Sequence, residues 1–166
     1  MKRRASHQVT ILLGSNLGNR QLNIDNACFL IEERIGILLS SSSLYQTKAW
    51  GVQEQPDFYN KVIICQTELL PEETLQECLS IEKTMGRVRN EKWSSRTLDI
   101  DILYFDREIL AKKHLKIPHP FLHERRFTLV PLCELMADFV HPVLNMTNRM
   151  LLEKCSDELD VVPIEK

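Results

Sequence analysis

The order of the predicted strands and helices restricts the fold more than any other feature of the sequence. Runs of β-branched and aliphatic residues predict strands, and apolar residues three and four apart predict helices. The predicted elements are, in order, a strand at 8–13, a helix at 20–35, strands at 38–46 and 58–68, a helix at 71–86 and a strand at 97–105. This is the split βαβ order, which predicts an antiparallel sheet with both helices on one face.

The fold class that follows is α+β with a ferredoxin-like βαββαβ core. Residues 106–166 add short strands and helices around this core, in an order that the sequence leaves open. A length of 166 residues suits one hydrophobic core. We therefore expect 1–166 to form a single domain.

Charge and cysteine content exclude several classes of protein. The net charge of −2 gives no global attraction to nucleic acid or to a membrane surface, and no apolar run is long enough to span a bilayer. The five cysteines are widely spaced without a Cys-x-x-Cys pair, so neither a disulfide framework nor a zinc site is expected. We expect a cytoplasmic monomer that binds neither nucleic acid nor membrane.

The segment 97–104 carries the strongest chemical signal. Side chains alternate faces along a strand, so Leu98, Ile100, Ile102 and Tyr104 are predicted to share one face. Asp99 and Asp101 share the other, although aspartate is a poor strand former and like charges repel. Magnesium ions prefer carboxylate and phosphate oxygens and would remove this repulsion. A solvated strand face explains the same pattern, and the motif alone does not decide between the two.

A basic loop leads directly into this strand. Residues 86–96 hold four cations, Arg87, Arg89, Lys92 and Arg96, against a single acid. Arginine forks match phosphate oxygens, and cations beside a carboxylate metal site are what a triphosphate requires. An exposed basic loop, or one that touches RNA, is the alternative.

Two further segments place polar groups among apolar ones. Glu82 lies on the apolar stripe of the second helix, where it forms either a buried ion pair with Arg87 or Arg89 or a direct ligand contact. Phe58 and Asn60 share a strand face, which suits stacking on a flat polar ring and reading of its edge by an amide. An asparagine satisfied by backbone groups explains the second pattern equally well.

The segment 117–127 combines prolines with charged and aromatic residues. His119 and Arg125 are placed to meet phosphate, and Phe127 to form a second stacking wall, although a proline-bounded helix start with surface charges has the same composition. The turn 14–18 matches neither the P-loop nor the Rossmann glycine pattern. Any nucleotide is therefore held by other means.

Together these motifs resemble the 6-hydroxymethyl-7,8-dihydropterin pyrophosphokinase family of folate biosynthesis. The matching segments run in family order: Gly14–Gly18, Tyr45–Thr47 with Gly51, Gln55–Asn60, Ile81–Glu82 with Gly86–Arg89, Trp93, Arg96–Ile102 and Pro118–Phe127. The resemblance implies a ferredoxin-like fold with mobile catalytic loops. It also implies transfer of the β,γ-pyrophosphoryl group of ATP to the hydroxymethyl oxygen of the pterin, with release of AMP.

The resemblance further implies two Mg²⁺ ions bound by Asp99 and Asp101. Phe58 and Phe127 would sandwich the pterin, while Asn60 and the backbone of Thr47 would read its edge. Asp101 is our candidate for orienting the hydroxyl group or accepting its proton.

For ATP, the resemblance implies a larger set of residues. Arg87 and Arg96 would stabilise the transferred group, and Trp93 would close over the site. The residues implied to surround ATP are Glu82, Arg89, Lys92, Trp93, Ile102, Lys116, His119 and Arg125. Two positions depart from the family pattern: Lys92 stands where arginine is common, and the stretch 48–50 lacks a proline, although Trp50 would add a flat wall beside the pterin.

Two other functions remain open at this point. An RNA-binding ferredoxin-like module would stack bases on sheet aromatics, but its RNP1 pattern is missing. A two-metal phosphohydrolase or nucleotidyltransferase would use the same acids. Product analysis separates these, since only the pyrophosphokinase yields AMP and a pterin diphosphate.

Overall fold

The predicted order of strands and helices is present in the computed structural model, which describes residues 4–48, 55–86 and 97–165. The core elements are β1 (His7–Ser15), α1 (Arg20–Arg34), β2 (Gly36–Ser41), β3 (Tyr45–Thr47), β4 (Phe58–Thr67), α2 (Pro71–Thr84) and β5 (Asp99–Phe105). They are followed by β6 (Leu110–Ala111), β7 (Lys116–Ile117), a 3-10 helix (Leu122–Glu124), α3 (Arg126–Met136), α4 (Asn148–Lys154) and β8 (Val161–Pro163). The α+β class and the ferredoxin-like core are confirmed.

The main sheet is antiparallel, with the order β5-β1-β4-β3-β8 and with β2 also paired to β4. The prediction of one strand over 38–46 is wrong, because β2 and β3 are separate strands on the same side of β4. Ser42 lies between them, and its Oγ accepts the Val62 N–H at 3.0 Å. A side chain thus replaces a backbone acceptor at this point, and the ladder is interrupted.

The helices α1 and α2 pack on one face of the sheet, as predicted. Val9, Ile11 and Leu13 of β1 meet Ile24 of α1 and Ile81 of α2 in a core of buried residues. Each helix begins with local capping: Asn19 Oδ1 accepts the Leu22 N–H at 3.1 Å, and Glu73 Oε2 accepts the Leu70 N–H at 2.8 Å.

The helices α3 and α4 cover part of the opposite face. Their core contains Leu12, Val62, Leu103, Tyr104, Leu122, Leu129, Leu132 and Leu151. The prediction that Tyr104 shares a face with Ile100 and Ile102 is wrong, because the register between β1 and β5 shifts at this point. The bulge turns Leu103 and Tyr104 both toward α3 and α4, where Tyr104 donates a 2.6 Å hydrogen bond to Asn148 Oδ1.

In the described ranges, no helix combines the length and the apolar character that crossing a membrane requires.

Candidate active site

Antiparallel pairing brings polar side chains from neighbouring strands onto one face of the sheet. Asp99 lies opposite Gly14, Gly14 opposite Asn60, and Asn60 opposite Tyr45. Directly opposite residues point to the same face, so these four residues form a row across β5, β1, β4 and β3. This is the face that α3 and α4 cover further along β1, where Leu12 lies opposite Val62.

The two aspartates share this face and are both partly buried. Asp101 lies opposite Leu12, one strand period away from Asp99. Ile100 and Ile102 point the other way, into the core beneath α1 and α2. The side chains of the isoleucines therefore anchor β5 while the carboxylates remain on the polar face. Two carboxylates in this arrangement are a donor set that suits Mg²⁺.

Glu82 supports this pair from the outer edge of β5. Its side chain is only 2% exposed, and Oε1 accepts the backbone N–H of Ile100, between the aspartates, at 3.0 Å. A buried carboxylate thus satisfies a strand edge that has no strand partner on this side among the described residues. Direct contact between Glu82 and nucleotide stays a prediction.

The Asn60 amide is held in place by two neighbours. Its Nδ2 donates to Thr47 Oγ1 at 3.0 Å, and both residues are buried. Its Oδ1 lies over Gly14, where a Cβ atom would be only 2.9 Å away. Sequence reasoning assigned the backbone of Thr47 to the site and missed its side chain, which fixes the orientation of this amide.

Phe58 and Phe127 approach the same face from different elements. Phe58 lies opposite Thr47 and two residues before Asn60, so it shares their face. Phe127, near the start of α3, packs against the core that contains Leu12 and Val62. The structure therefore places both rings on the side of the sheet that bears the aspartates.

His119 lies close to Asp101 and Arg125. Its backbone N–H donates to the Leu103 carbonyl at 3.0 Å, which ties the segment to β5. Burial lowers the pKa of His119, the Asp101 charge raises it, and the Arg125 charge lowers it, with a net decrease. The Phe121 N–H donates to Nδ1 at 3.2 Å, so the neutral ring carries its proton on Nε2.

The remaining predicted ATP residues are placed less directly. The Arg125 guanidinium lies 5.2 Å from the ring centre of Phe121 and 5.8 Å from that of Phe127. Lys116 is exposed on β7. Because the Ile102 side chain is in the opposite core, any contact with nucleotide involves its backbone. Trp50, Arg87, Arg89, Lys92, Trp93 and Arg96 lie outside the described residues.

Sequence reasoning also missed how the turn after β1 holds the segment before Phe58. Asn16 is buried, and its Nδ2 donates to Gln55 Oε1 at 3.4 Å. Arg20 donates to the Asp57 carbonyl at 2.7 Å, and its guanidinium lies 4.0 Å from the ring centre of Tyr59. The turn 14–18 therefore supports the approach to β4. No local pattern indicates these long-range contacts.

A second ionisable cluster lies at the far end of β1. Donor atoms of His7, Asp106 and Glu108 lie within 4.8 Å of one another. Asp106 Oδ1 accepts the Gln8 N–H at 2.7 Å, and Oδ2 lies 2.7 Å from His7 Nδ1. These bonds tie the start of β1 to the turn after β5, which gives His7 and Asp106 a structural role.

A face with carboxylates suited to metal beside groups suited to a flat polar ring fits the class of small-molecule enzymes that transfer or hydrolyse phosphate-type groups, whether kinase, nucleotidyltransferase or phosphohydrolase. The comparison with known families narrows this class. A family model described as 7,8-dihydro-6-hydroxymethylpterin-pyrophosphokinase (HPPK) matches residues 10–137, and the chain belongs to this family. The family indicated by the sequence motifs is confirmed, and with it the pyrophosphokinase step of folate biosynthesis.

Curated relatives agree with this assignment. The 2-amino-4-hydroxy-6-hydroxymethyldihydropteridine pyrophosphokinase of Aquifex aeolicus is 42% identical over 131 residues, covering 79% of this chain and 81% of the relative. The protein of the same name from Haemophilus influenzae is 42% identical over 133 residues, covering 80% and 83%. The folic acid synthesis protein fol1 of Pneumocystis carinii is 40% identical over 156 residues, but this chain spans only 21% of its length.

Solved structures show the same fold. The Plasmodium falciparum HPPK-DHPS crystal structure with pterin and p-hydroxybenzoate superposes with a TM-score of 0.74 at 18% identity. The match covers 92% of this chain and 42% of the Plasmodium chain.

Proposed function

We propose that the sheet face bearing Asp99 and Asp101 carries out the family reaction. In this reaction the β,γ-pyrophosphoryl group of ATP passes to 6-hydroxymethyl-7,8-dihydropterin, giving the pterin diphosphate and AMP. The observation that carries the proposal is the row of Asp99, Gly14 and Asn60 across three strands. The row supports the proposal because the carboxylate that we assign to Mg²⁺ lies beside the amide that we assign to ring recognition.

Asp99 and Asp101 would hold two Mg²⁺ ions. Such ions neutralise a polyphosphate chain and orient its oxygens. The protein itself supplies a rigid strand, whose Ile100 and Ile102 are buried on the far side and whose edge is bonded by Glu82. Asp101 is also the group we assign to orienting the pterin hydroxyl or accepting its proton.

The pterin would lie on the face formed by Phe58, Asn60 and Thr47, with Phe127 as its second wall. Since Asn60 Nδ2 is bonded to Thr47, Asn60 Oδ1 has a defined direction beside Gly14. A fixed carbonyl oxygen recognises ring N–H and amino groups and rejects a ring that lacks them.

The nucleotide would lie along β5 and the segment that follows β7. The neutral His119 has its Nε2–H as a donor for phosphate oxygens, with Arg125 close by. Lys116 and the backbone of Ile102 border the same edge. The assignments of Trp50, Arg87, Arg89, Lys92, Trp93 and Arg96 rest on the sequence alone.

The test compares Asp99→Asn and Asp101→Asn with Asp25→Asn, a matched control at an exposed position of α1. Both site variants should lose about 10³-fold or more in turnover, because an amide does not replace a carboxylate as a Mg²⁺ ligand. Chromatography of the products should show AMP and pterin diphosphate for the control. ADP or free pyrophosphate would instead indicate another transferase or a hydrolase.

Metal removal gives an independent test. Dialysis against EDTA should abolish turnover, and added Mg²⁺ should restore it. Full activity in the metal-free protein would exclude the proposed role of the aspartates.

We also propose that residues 1–166 act as one catalytic domain, as a cytoplasmic monomer without nucleic-acid or membrane partners. The five free cysteines and the net charge of −2 support this proposal. Light scattering after size-exclusion chromatography measures the oligomeric state directly.

A further inference from the structure

The carboxylate of Glu134 on α3 accepts hydrogen bonds from Ser43, between β2 and β3, and from Tyr45, the first residue of β3. Oε1 accepts the backbone N–H and the hydroxyl of Ser43, each at 2.9 Å. Oε2 accepts the Tyr45 hydroxyl at 2.6 Å. We call this group of three residues the Glu134 clamp.

The clamp joins the two elements that carry opposite sides of the proposed pterin site. Tyr45 lies on β3 opposite Asn60, and Thr47 ends the same strand. Glu134 lies on α3 seven residues after Phe127, about 10 Å along the helix at 1.5 Å per residue. The distance between the amide side of the site and the Phe127 ring therefore depends on how α3 sits against β3.

The helix α3 contains Pro131, which interrupts its hydrogen-bond ladder. Proline has no N–H to donate to the carbonyl four residues earlier, which here belongs to Phe127. The ladder thus lacks a bond between the turn that carries Phe127 and the turn that carries Glu134. At its N-terminal end, the Arg126 N–H donates to Asp157 Oδ2 at 3.0 Å, so each half of α3 is fixed from outside.

The charge states of the clamp favour its persistence at neutral pH. Burial raises the pKa of Glu134. Hydrogen bonds from Tyr45 and Ser43, together with the charge of Lys61, lower this pKa by more than burial raises it, so the net change is a decrease. Burial, together with the neighbouring Glu134, raises the pKa of Tyr45 to about 12. A phenol therefore donates to a carboxylate, which is a strong, charge-assisted hydrogen bond.

We propose that Glu134 is a positioning residue for the pterin: the clamp sets the width of the slot between the Thr47–Asn60 side and Phe127. This inference rests on the proposed function, since it requires the pterin to bind between these elements. Loss of the clamp should weaken pterin binding while leaving nucleotide binding and the chemical step nearly intact, because β1 and β4 lie between β3 and the aspartates of β5 in the sheet.

The variants are Tyr45→Phe, Glu134→Gln, Glu134→Ala and the double variant Tyr45→Phe/Glu134→Ala, with Glu153→Gln as a control at an exposed glutamate of α4. KM for the pterin should rise about threefold to tenfold in Tyr45→Phe and further in Glu134→Ala, with Glu134→Gln in between. KM for ATP and kcat should change less than twofold. The double variant should have the same KM for the pterin as Glu134→Ala, because the Tyr45 hydroxyl has already lost its acceptor in that single variant and the two effects therefore do not add.

A role confined to stability would lower the melting temperature and the active fraction but leave KM for the pterin at the wild-type value in every variant. That result would overturn the proposal, as would equal increases in KM for both substrates. If Glu134→Ala does not fold, Tyr45→Phe, which removes a single oxygen, decides the matter. Wild-type protein without pyrophosphoryl transfer to the pterin would instead refute the proposed function, a separate outcome.

Discussion

At the scale of single residues, Gly14 determines where the Asn60 amide can lie. The amide is pinned on one side by Thr47 Oγ1, and its oxygen lies over the Gly14 backbone. A side chain at position 14 would meet this oxygen at 2.9 Å, closer than van der Waals contact permits. Gly14 is therefore required for close approach on the strand, although the sequence suggested only a turn.

Gly14→Ala should displace the Asn60 amide and raise KM for the pterin about tenfold, equivalent to ~1.4 kcal/mol, with a smaller effect on KM for ATP. Gly18→Ala is the control, because Gly18 has a φ of 65° and a Cβ atom added there would meet no atom beyond its chain neighbours within 4 Å. That variant should lose about 1 kcal/mol of stability through backbone strain and keep the wild-type KM. Steady-state kinetics and urea denaturation measure both effects; an unchanged pterin KM in Gly14→Ala would contradict the assignment.

The face of the sheet toward which a side chain points could be predicted where the strand is regular, but not where a bulge interrupts it. Asp99 and Asp101 follow the period of two, and the structure has them on one face. Tyr104 does not, because a bulge between Ile102 and Tyr104 inserts an extra residue opposite β1. A bulge depends on pairing with a distant strand, so the local alternation contains no sign of it.

At the scale of elements, β5 is an edge strand of the described sheet, and backbone groups on its outer side bond to a side chain and to a loop instead of to another strand. Glu82 accepts the Ile100 N–H, and the His119 N–H donates to the Leu103 carbonyl. Both bonds lie beside the aspartates. The edge of the sheet and the border of the proposed active site are therefore the same surface.

Glu82→Ala should leave the Ile100 N–H unsatisfied and lower the free energy of unfolding by about 1–3 kcal/mol. Glu82→Gln keeps an acceptor oxygen and should recover the part of this loss that belongs to the backbone bond. Urea denaturation of the two variants beside wild type measures the difference. Equal stability of the alanine and glutamine variants would show that the bond to Ile100 contributes nothing measurable.

Elements with strong local signals were predicted well, including both helices of the core and the strands β1, β4 and β5. The single strand predicted at 38–46 failed because the interruption comes from Ser42, whose hydroxyl bonds a residue of β4. Serine is compatible with strand and turn alike. Only the contact across the sheet decides between them.

At the scale of the whole molecule, the packing of α3 and α4 makes stability depend on pH through His141. This side chain is 4% exposed, and its Nδ1 accepts the N–H groups of Val143 and Leu144. Burial lowers the pKa of His141, and the charge of His123 lowers it further, while a backbone hydrogen bond raises it. The folded protein thus binds a proton less readily here than the unfolded chain.

The contribution of His141 to the free energy of unfolding should accordingly be fully present above about pH 6.5, the pKa of histidine in an unfolded chain. It should be lost as the pH falls through the lower pKa that His141 has in the folded protein. His141→Asn, which keeps an acceptor for the two N–H groups, should show a shallower loss of unfolding free energy between pH 7.5 and about 5. His119 contributes in the same direction, so some slope remains. The exposed His114→Asn serves as control; a slope in His141→Asn equal to that of wild type would exclude His141 as a source.

The site as a whole was only partly predictable. The motifs singled out Asp99, Asp101 and Asn60 because aspartate and asparagine are unusual in strands, and their roles stay predictions. The Glu134 clamp and the contacts of Asn16 and Arg20 were missed, since they join segments far apart in the sequence through common residue types. Such contacts become visible only once the register of the sheet is known.

The alternation along β5 links the proposed catalytic role of its aspartates to correct folding. The strand has isoleucines on one side and carboxylates on the other, each matched to a different environment. A shift of one residue in the pairing with β1 would bury both aspartates in the apolar core and expose the two isoleucines to water. With the proposed roles of Asp99 and Asp101, misregistered molecules would be both unstable and inert, so selection for turnover would at the same time be selection for accurate assembly of the sheet.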